Sequence, residues 1–210
     1  MNCRTSPTNE PSQSLYTLSS IIEPIDLEKL FPRTQPLEVE LGSGDGSFLV
    51  QFASQNRDRN FIGVERLLGR LHKLDRKARQ AGLNNLRCVR IESNYFLKYL
   101  LPCHSVAAIH VYFPDPWPKR KHRHHRLIND EFVQVAHNAL EPGGTVYVRT
   151  DDSDYFEQMV RAFAASPLFL KVQVPEQLRN LATDFEREFK NHGISILGAG
   201  YQVVTKQAPA

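Results

Sequence analysis

Short runs rich in aliphatic and β-branched residues alternate along most of this chain with longer segments in which apolar positions recur every three or four residues. The first kind covers 37–41, 61–65, 86–91, 106–112 and 145–149; the second begins at 47 and recurs over 66–81, 128–140 and 155–165. Strand followed by helix in repetition predicts a parallel sheet with helices on both faces. The last two strand runs, 168–174 and 193–204, break the rhythm. Only 176–189 supplies a helical period between them, and Pro175 opens it, so an antiparallel pair at the sheet edge stands beside a further crossover as the expected ending. Residues 1 to about 18 are rich in Ser, Thr, Asn and Pro and lack apolar periodicity, the composition of a flexible tail. The expected organisation is an N-terminal tail over 1–30 and a single domain over 31–210.

With 210 residues, 41% of them hydrophobic, the chain can bury one substantial core. Cys3, Cys88 and Cys103 are far apart and form no C-x-x-C pair, which argues against a disulfide framework or a thiolate zinc site and fits a reducing cytoplasm. No apolar run approaches the roughly 20 residues that span a bilayer, and the N-terminus has no signal-peptide core, so a soluble protein with no membrane partner is expected. Net charge is +3, yet residues 119–126, Lys-Arg-Lys-His-Arg-His-His-Arg, carry five Lys or Arg, three His and no acid. The positive charge is thus local, and its density makes a polyanion the expected partner.

Leu37-Glu-Val-Glu-Leu-Gly42-Ser-Gly44-Asp-Gly46-Ser-Phe reads as a strand entering a glycine-rich turn that opens a helix. Such a turn lies at the carboxyl end of a parallel sheet, where ligands bind. Glu65 closes the next strand, 19 residues after Gly46, where a carboxylate can accept from both hydroxyls of a ribose. Glu38, Glu40 and Asp45 crowd the turn with negative charge, which opposes a pyrophosphate and suits the ammonium and sulfonium of S-adenosylmethionine. The spacing G-x-G-x-G also departs from the dinucleotide pattern. Glu38 is expected to face solvent in an alternating strand; Glu40, directly before the turn, is the stronger ligand candidate. Asn94 stands after the third strand, either as an adenine contact or as the N-cap of the helix near Tyr95.

Phe113-Pro114-Asp115-Pro116-Trp117-Pro118-Lys119 follows the fourth strand. Three alternating prolines make a rigid, non-helical loop that holds one carboxylate and the chain's single tryptophan. Such an aromatic face stacks a base for roughly 1–3 kcal/mol. Lys119, Arg120, Lys121, Arg123 and Arg126 are placed to neutralise phosphates. His122, His124 and His125 are surrounded by cations and lack a carboxylate, so no metal site is expected. The cations of the 66–81 helix are accounted for by a solvated outer face opposite the stripe Leu67, Leu71, Leu74 and Ala78.

Together these motifs resemble the bacterial tRNA (guanine-N7)-methyltransferase family. The resemblance covers roughly 30–201 and rests on the Leu-Glu-Val-Glu-Leu-Gly-Ser-Gly turn, Gly63-Val64-Glu65, the proline loop with its basic tail, Thr150-Asp151 and Thr183-Asp-Phe-Glu186. It implies a Rossmann-like, doubly wound, mostly parallel seven-stranded sheet with a C-terminal antiparallel edge. It also implies transfer of a methyl group from S-adenosylmethionine to N7 of a variable-loop guanine in tRNA. By that resemblance Glu40, Gly42, Gly44, Glu65, Asn94 and Asp115 contact the cofactor, with Asp115 also catalytic. Lys119, Asp151, Thr183, Asp184, Phe185 and Glu186 contact the substrate, and Lys121, His122, Arg123, His124, His125 and Arg126 touch the RNA. Position 94 is often Asp in the family, and the His-rich tail departs from relatives with Asn or Lys there, which predicts tighter RNA binding at lower pH. Thr183-x-x-Glu186 is equally a helix capping box, and 150–153 equally a helix start. Other readings are an exocyclic-amine methyltransferase, since Asp115-Pro116-Trp117 is similar to an Asp-Pro-Pro-aromatic loop, and a non-catalytic RNA-binding subunit; a Rossmann dehydrogenase ranks last. A monomer or homodimer is expected.

Overall fold

A computed structural model describes residues 14–205, without the side chains of Asp184, Phe185 and Lys190. Residues 1–13, which include Cys3 and the first part of the segment expected to be a tail, lie outside the described residues. Where that segment enters the fold it is ordered: β1 (Leu15–Tyr16) pairs in parallel with β4 (Leu86–Val89), and Asp75 accepts the backbone N–H of Leu15 at 3.0 Å. After α1 (Leu27–Leu30) the chain alternates β2 (Leu37–Leu41), α2 (Leu49–Gln55), β3 (Asn60–Val64), α3 (Leu68–Gln80) and β4. A short α4 (Ser93–Tyr95) continues as a π turn through Leu100 into β5 (Val106–Tyr112). Then come α5 (Asp130–Ala139), β6 (Leu140–Thr150), α6 (Ser153–Ala164), β7 (Phe169–Val172), α7 (Glu176–Asn180), α8 (Asp184–Asn191) and β8 (Leu197–Val203).

The sheet order is β1-β4-β3-β2-β5-β6-β8-β7, with β8 antiparallel to both neighbours. The doubly wound, mostly parallel sheet is as expected, and the ending is the antiparallel pair. The strand count is eight because β1 adds an edge strand of only two residues, too short to leave a periodic signal.

The chain leaves β2 outward through β3 and β4, then returns to build β5 on the other side of β2. Their carboxyl ends therefore diverge at a topological switch point, where open α/β sheets bind ligands. Both faces are covered. Val39, Leu41, Ile109 and Val111 pack with α5 and α6, while Phe61, Leu86 and Cys88 pack with α2 and α3. All five residues of β2 are consequently buried, Glu38 and Glu40 included. The expectation that Glu38 faces solvent is wrong for this reason, since alternation marks a wet face only when one face of the sheet is open. Glu38 is 1% exposed, bonded to His110 Nε2 at 2.7 Å and paired with Arg59. Burial alone raises its pKa, but the bonds from His110 and Arg59 prevail and hold the carboxyl below its ordinary range.

Candidate active site at the sheet switch point

The turn after β2 is built from three residues with positive φ, Gly42 (79°), Gly44 (56°) and Gly46 (79°). Gly46 has a second reason to be glycine: a Cβ there would lie 2.7 Å from Leu74 Cγ, so α3 packs directly on the turn. Glu65, at the end of β3, holds the turn from the side. One carboxylate oxygen accepts Gly44 N–H at 3.1 Å and the other Leu67 N–H at 2.7 Å. Each oxygen keeps lone-pair capacity for a further donor.

Charge in the turn differs from the sequence picture. Asp45 is paired with Lys77 at 2.7 Å and caps Ser47 N–H, and although burial raises its pKa the lysine bond overcomes this and lowers it. The uncompensated carboxyl is Glu40, which is 4% exposed and whose Oε2 has no hydrogen-bond partner. Burial pushes its pKa to about 8 against the pull of Arg149, with Asp45 and Glu65 adding to the rise. Ser43 Oγ and Asn94 Oδ1 are likewise buried without partners. An orphaned buried polar atom costs about 1–3 kcal/mol, so Glu40 and Ser43, which line one cavity at the turn, mark a place where a ligand completes the bonding. The N-cap reading of Asn94 fails, because Glu92 caps α4 by accepting the N–H groups of Asn94 and Tyr95 at 2.9 and 2.7 Å.

The proline loop leaves β5 through Phe113 (φ 51°) and ends at Trp117 (φ 43°), so two bulky residues bracket Pro114-Asp115-Pro116 in a conformation that costs roughly 1–3 kcal/mol each. Asp115 lines a cavity of about 380 Å³ with Glu65, Gly42, Trp117 and His125. A neighbouring cavity of about 240 Å³ is lined by Glu40, Gly42, Gly44 and Thr183, and Tyr112 and Phe113 border both. The carboxylates expected to share a site are thus brought to one cleft.

Other expected residues fall elsewhere. Arg126 does not face a partner outside the chain: it is 2% exposed. Its Nε donates to Pro116 O at 2.7 Å, its Nη groups to Gln158 and Asp154 at 2.9 and 2.7 Å, and its guanidinium lies 4.7 Å from the Tyr155 ring centroid. Residues 120–125 form a 3₁₀ turn that folds the chain back and tucks position 126 inward, which a count of charges cannot reveal. Lys119, Lys121, Arg123, His124 and His125 are exposed, His122 is half-buried, and Arg123 shares Asp154 at 3.1 Å. Asp151 is exposed at the end of β6, and the capping of α6 falls to Asp152, which accepts Tyr155 N–H at 2.7 Å.

Thr183 and Glu186 form the reciprocal capping box of α8, Glu186 N–H to Thr183 Oγ1 at 3.0 Å and Thr183 N–H to Glu186 Oε2 at 2.6 Å. Both are 5% exposed. The side chains of Asp184 and Phe185 lie outside the described residues. Sequence reasoning missed Arg149, which is 6% exposed, donates to Glu186 Oε2 at 2.9 Å and to Leu181 O at 2.9 Å, and lies 4.4 Å from the Tyr112 ring centroid. It ties α7 and α8 over the cleft. The only available signal was an arginine closing an otherwise apolar strand.

The description "putative methyltransferase" belongs to the family model that matches residues 34–199. A tRNA (guanine-N(7)-)-methyltransferase of Saccharophagus degradans is 33% identical over 85% of this chain and 81% of its own length. The chain belongs to this methyltransferase family. The enzyme of the same designation from Thermotoga maritima is 32% identical over 81% of this chain but only 55% of its own length. The chain therefore spans little more than half the length of some curated relatives. Among solved structures, the 16S rRNA methyltransferase KamB matches with a TM-score of 0.63 at 18% identity, covering 87% of this chain and 95% of that one, which is a likeness of fold. Among the described residues no helix is long and apolar enough to cross a membrane.

Proposed function

We propose that the cleft binds S-adenosylmethionine and that the chain methylates N7 of a guanine in tRNA. The observation that carries this reading is the meeting of the orphaned Glu40, the clamped turn at Gly42 and Gly44, and the rigidly held Asp115 around one cleft. The donor set fits the cofactor. Glu40 is a buried acid that a cationic group would ionise, Glu65 has acceptor capacity for vicinal hydroxyls, and Asn94 has an unpaired amide oxygen for an amine edge. When bound, the cofactor supplies a methyl group on a positively charged sulfur.

Guanine N7 presents an in-plane lone pair and carries no proton, so the protein has no base to provide. Its work is positioning and charge stabilisation. Trp117, 37% exposed beside Asp115, offers a stacking face for the base. The methylated guanine is cationic, and Asp115, held by prolines on both sides, is a fixed anion for that developing charge. The exposed cations of 119–125 would hold the phosphate backbone. Asp151, Thr183 and Glu186 complete the substrate side in this reading, with Thr183 on the cleft wall.

The test is transfer of label from S-adenosylmethionine to unmodified tRNA followed by nucleoside separation. Label in 7-methylguanosine is the expected result. Label in an exocyclically methylated base would replace this reading with the amino-methyltransferase one, and cofactor binding without transfer would favour a non-catalytic RNA-binding role.

A further inference from the structure

The exposed cations of α3 serve neither the core nor the helix that carries them. The buried face of α3 consists of Leu71, Leu74, Asp75 and Ala78. Arg66, Arg70, Lys73 and Arg76 are all exposed, and none of the four forms an ion pair among the described residues, whereas Lys77 and Arg79 of the same helix are paired with Asp45 and Asp75. Leu67, expected in the apolar stripe, is 49% exposed and lies on the wet side with them.

Arg66 and Arg70 stand at the start of α3, where the helix dipole disfavours positive charge; the first turn holds no acid, and the N-cap Leu67 provides no side-chain bond. Helix stability thus argues against this placement. Neutralisation of the glycine turn does not explain Arg66 and Arg70 either. Asp45 is bonded to Lys77, with Lys73 adding a longer-range attraction, Glu65 is satisfied by two backbone N–H groups, and the ion facing buried Glu40 is Arg149.

What the placement does achieve is position. Arg66 lies just before the N-cap Leu67, and Arg70 and Lys73 follow about one turn apart on one face of α3. Arg66 and Arg70 line the same cavity as Asp115, Trp117 and His125, and Arg70 and Lys73 line its neighbour beside Gly44. The cleft is therefore bordered on one side by Arg66, Arg70 and Lys73 and on another by the basic 120–125 turn, which reaches it through His125. A single basic edge docks a polyanion, while cations on two sides of a cleft fit a backbone that crosses its mouth.

We propose that Arg66, Arg70 and Lys73 form a second contact surface for the RNA sugar-phosphate backbone, flanking the cleft together with the 120–125 turn. The proposal rests on the tRNA reading above. It is tested by the triple variant R66Q/R70Q/K73Q, whose three positions are solvent-exposed. Affinity for unmodified tRNA is measured across a salt series, and affinity for S-adenosylmethionine by calorimetry. The expected result is a fall of about 2–3 in the slope of log Kobs against log salt, with the charge-retaining variant R66K/R70K/K73R keeping the wild-type slope. An unchanged slope in the glutamine variant would overturn the proposal and leave the methyltransferase reading standing. Weaker cofactor binding with an unchanged slope would assign these cations to the cofactor turn instead. Failure of the wild-type chain to bind tRNA would overturn the tRNA reading and the proposal together.

Discussion

Arg126 Nε donates to the carbonyl oxygen of Pro116 at 2.7 Å, so the last cation of a basic run is an internal brace for the loop that carries Asp115. Hydrogen bonds to charged groups are worth about 1.5–3 kcal/mol each, and Arg126 also packs on Tyr155. Arg126→Met is expected to lower unfolding stability by roughly 3 kcal/mol in denaturant titration. It should leave the salt slope of RNA binding unchanged, whereas Lys121→Gln should lower that slope by about 1 at wild-type stability. A reduced slope in Arg126→Met with normal stability would return the residue to the RNA surface.

Glu40 sets a pH dependence. Its folded pKa is raised from 4.5 to about 8, so between those values the folded protein holds a proton that the unfolded chain has lost. The contribution of this group to stability therefore declines as pH rises from about 4.5 to 8 and levels off above. Glu40→Gln should remove that decline, matching wild type at pH 5 and exceeding it at pH 9 in thermal unfolding. It should also abolish the proton released when a cationic ligand enters at pH 7, read by calorimetry in buffers of different ionisation heat. Equal proton release by variant and wild type would contradict the assignment.

The Glu38 carboxyl behaves oppositely. Its pKa is held low by His110 and Arg59, so its contribution is present above the unfolded value and is lost as pH falls through the folded one. Glu38 is buried but its cation Arg59 is half-exposed, and hydrogen bonds to charged groups are worth about 1.5–3 kcal/mol, so Glu38→Gln should be destabilised to that order at pH 7. The gap to wild type should close under acid, below pH 4. A gap that persists unchanged at pH 3 would show that packing, and not charge, is lost.

Arg149 and Glu186 form the pair that ties α8 over the cleft. Glu186→Ala should destabilise the chain by about 3–5 kcal/mol and raise amide exchange across 176–191 more than in β2 or β5. The double variant Arg149→Met/Glu186→Leu should recover much of the stability without recovering methyl transfer. Uniform exchange throughout the chain would mean that α7 and α8 do not open as a unit.

The strands and long helices were legible because their periods are long and uninterrupted, and the cleft was legible because glycine turn, Glu65 and proline loop each sit at a strand's carboxyl end. What escaped was side-chain direction. Glu38 looked wet because one strand does not disclose that both sheet faces are covered. Arg126 looked like its neighbours because a 3₁₀ turn, not composition, turns it inward. Arg149 was passed over because its partners Leu178, Leu181 and Glu186 arrive from 29 to 37 residues away. Asn94 could be separated from a helix cap only once Glu92 was seen to do the capping.

The most direct measurement is reductive strand cleavage at 7-methylguanine in tRNA treated with S-adenosylmethionine and either the wild-type chain or Asp115→Ala. The expected result is cleavage at a single guanine with wild type and loss of that cleavage in the variant at unchanged tRNA affinity. Cleavage of equal strength in both would contradict the role assigned to Asp115, and label incorporated into tRNA with no cleavage would contradict methylation at N7.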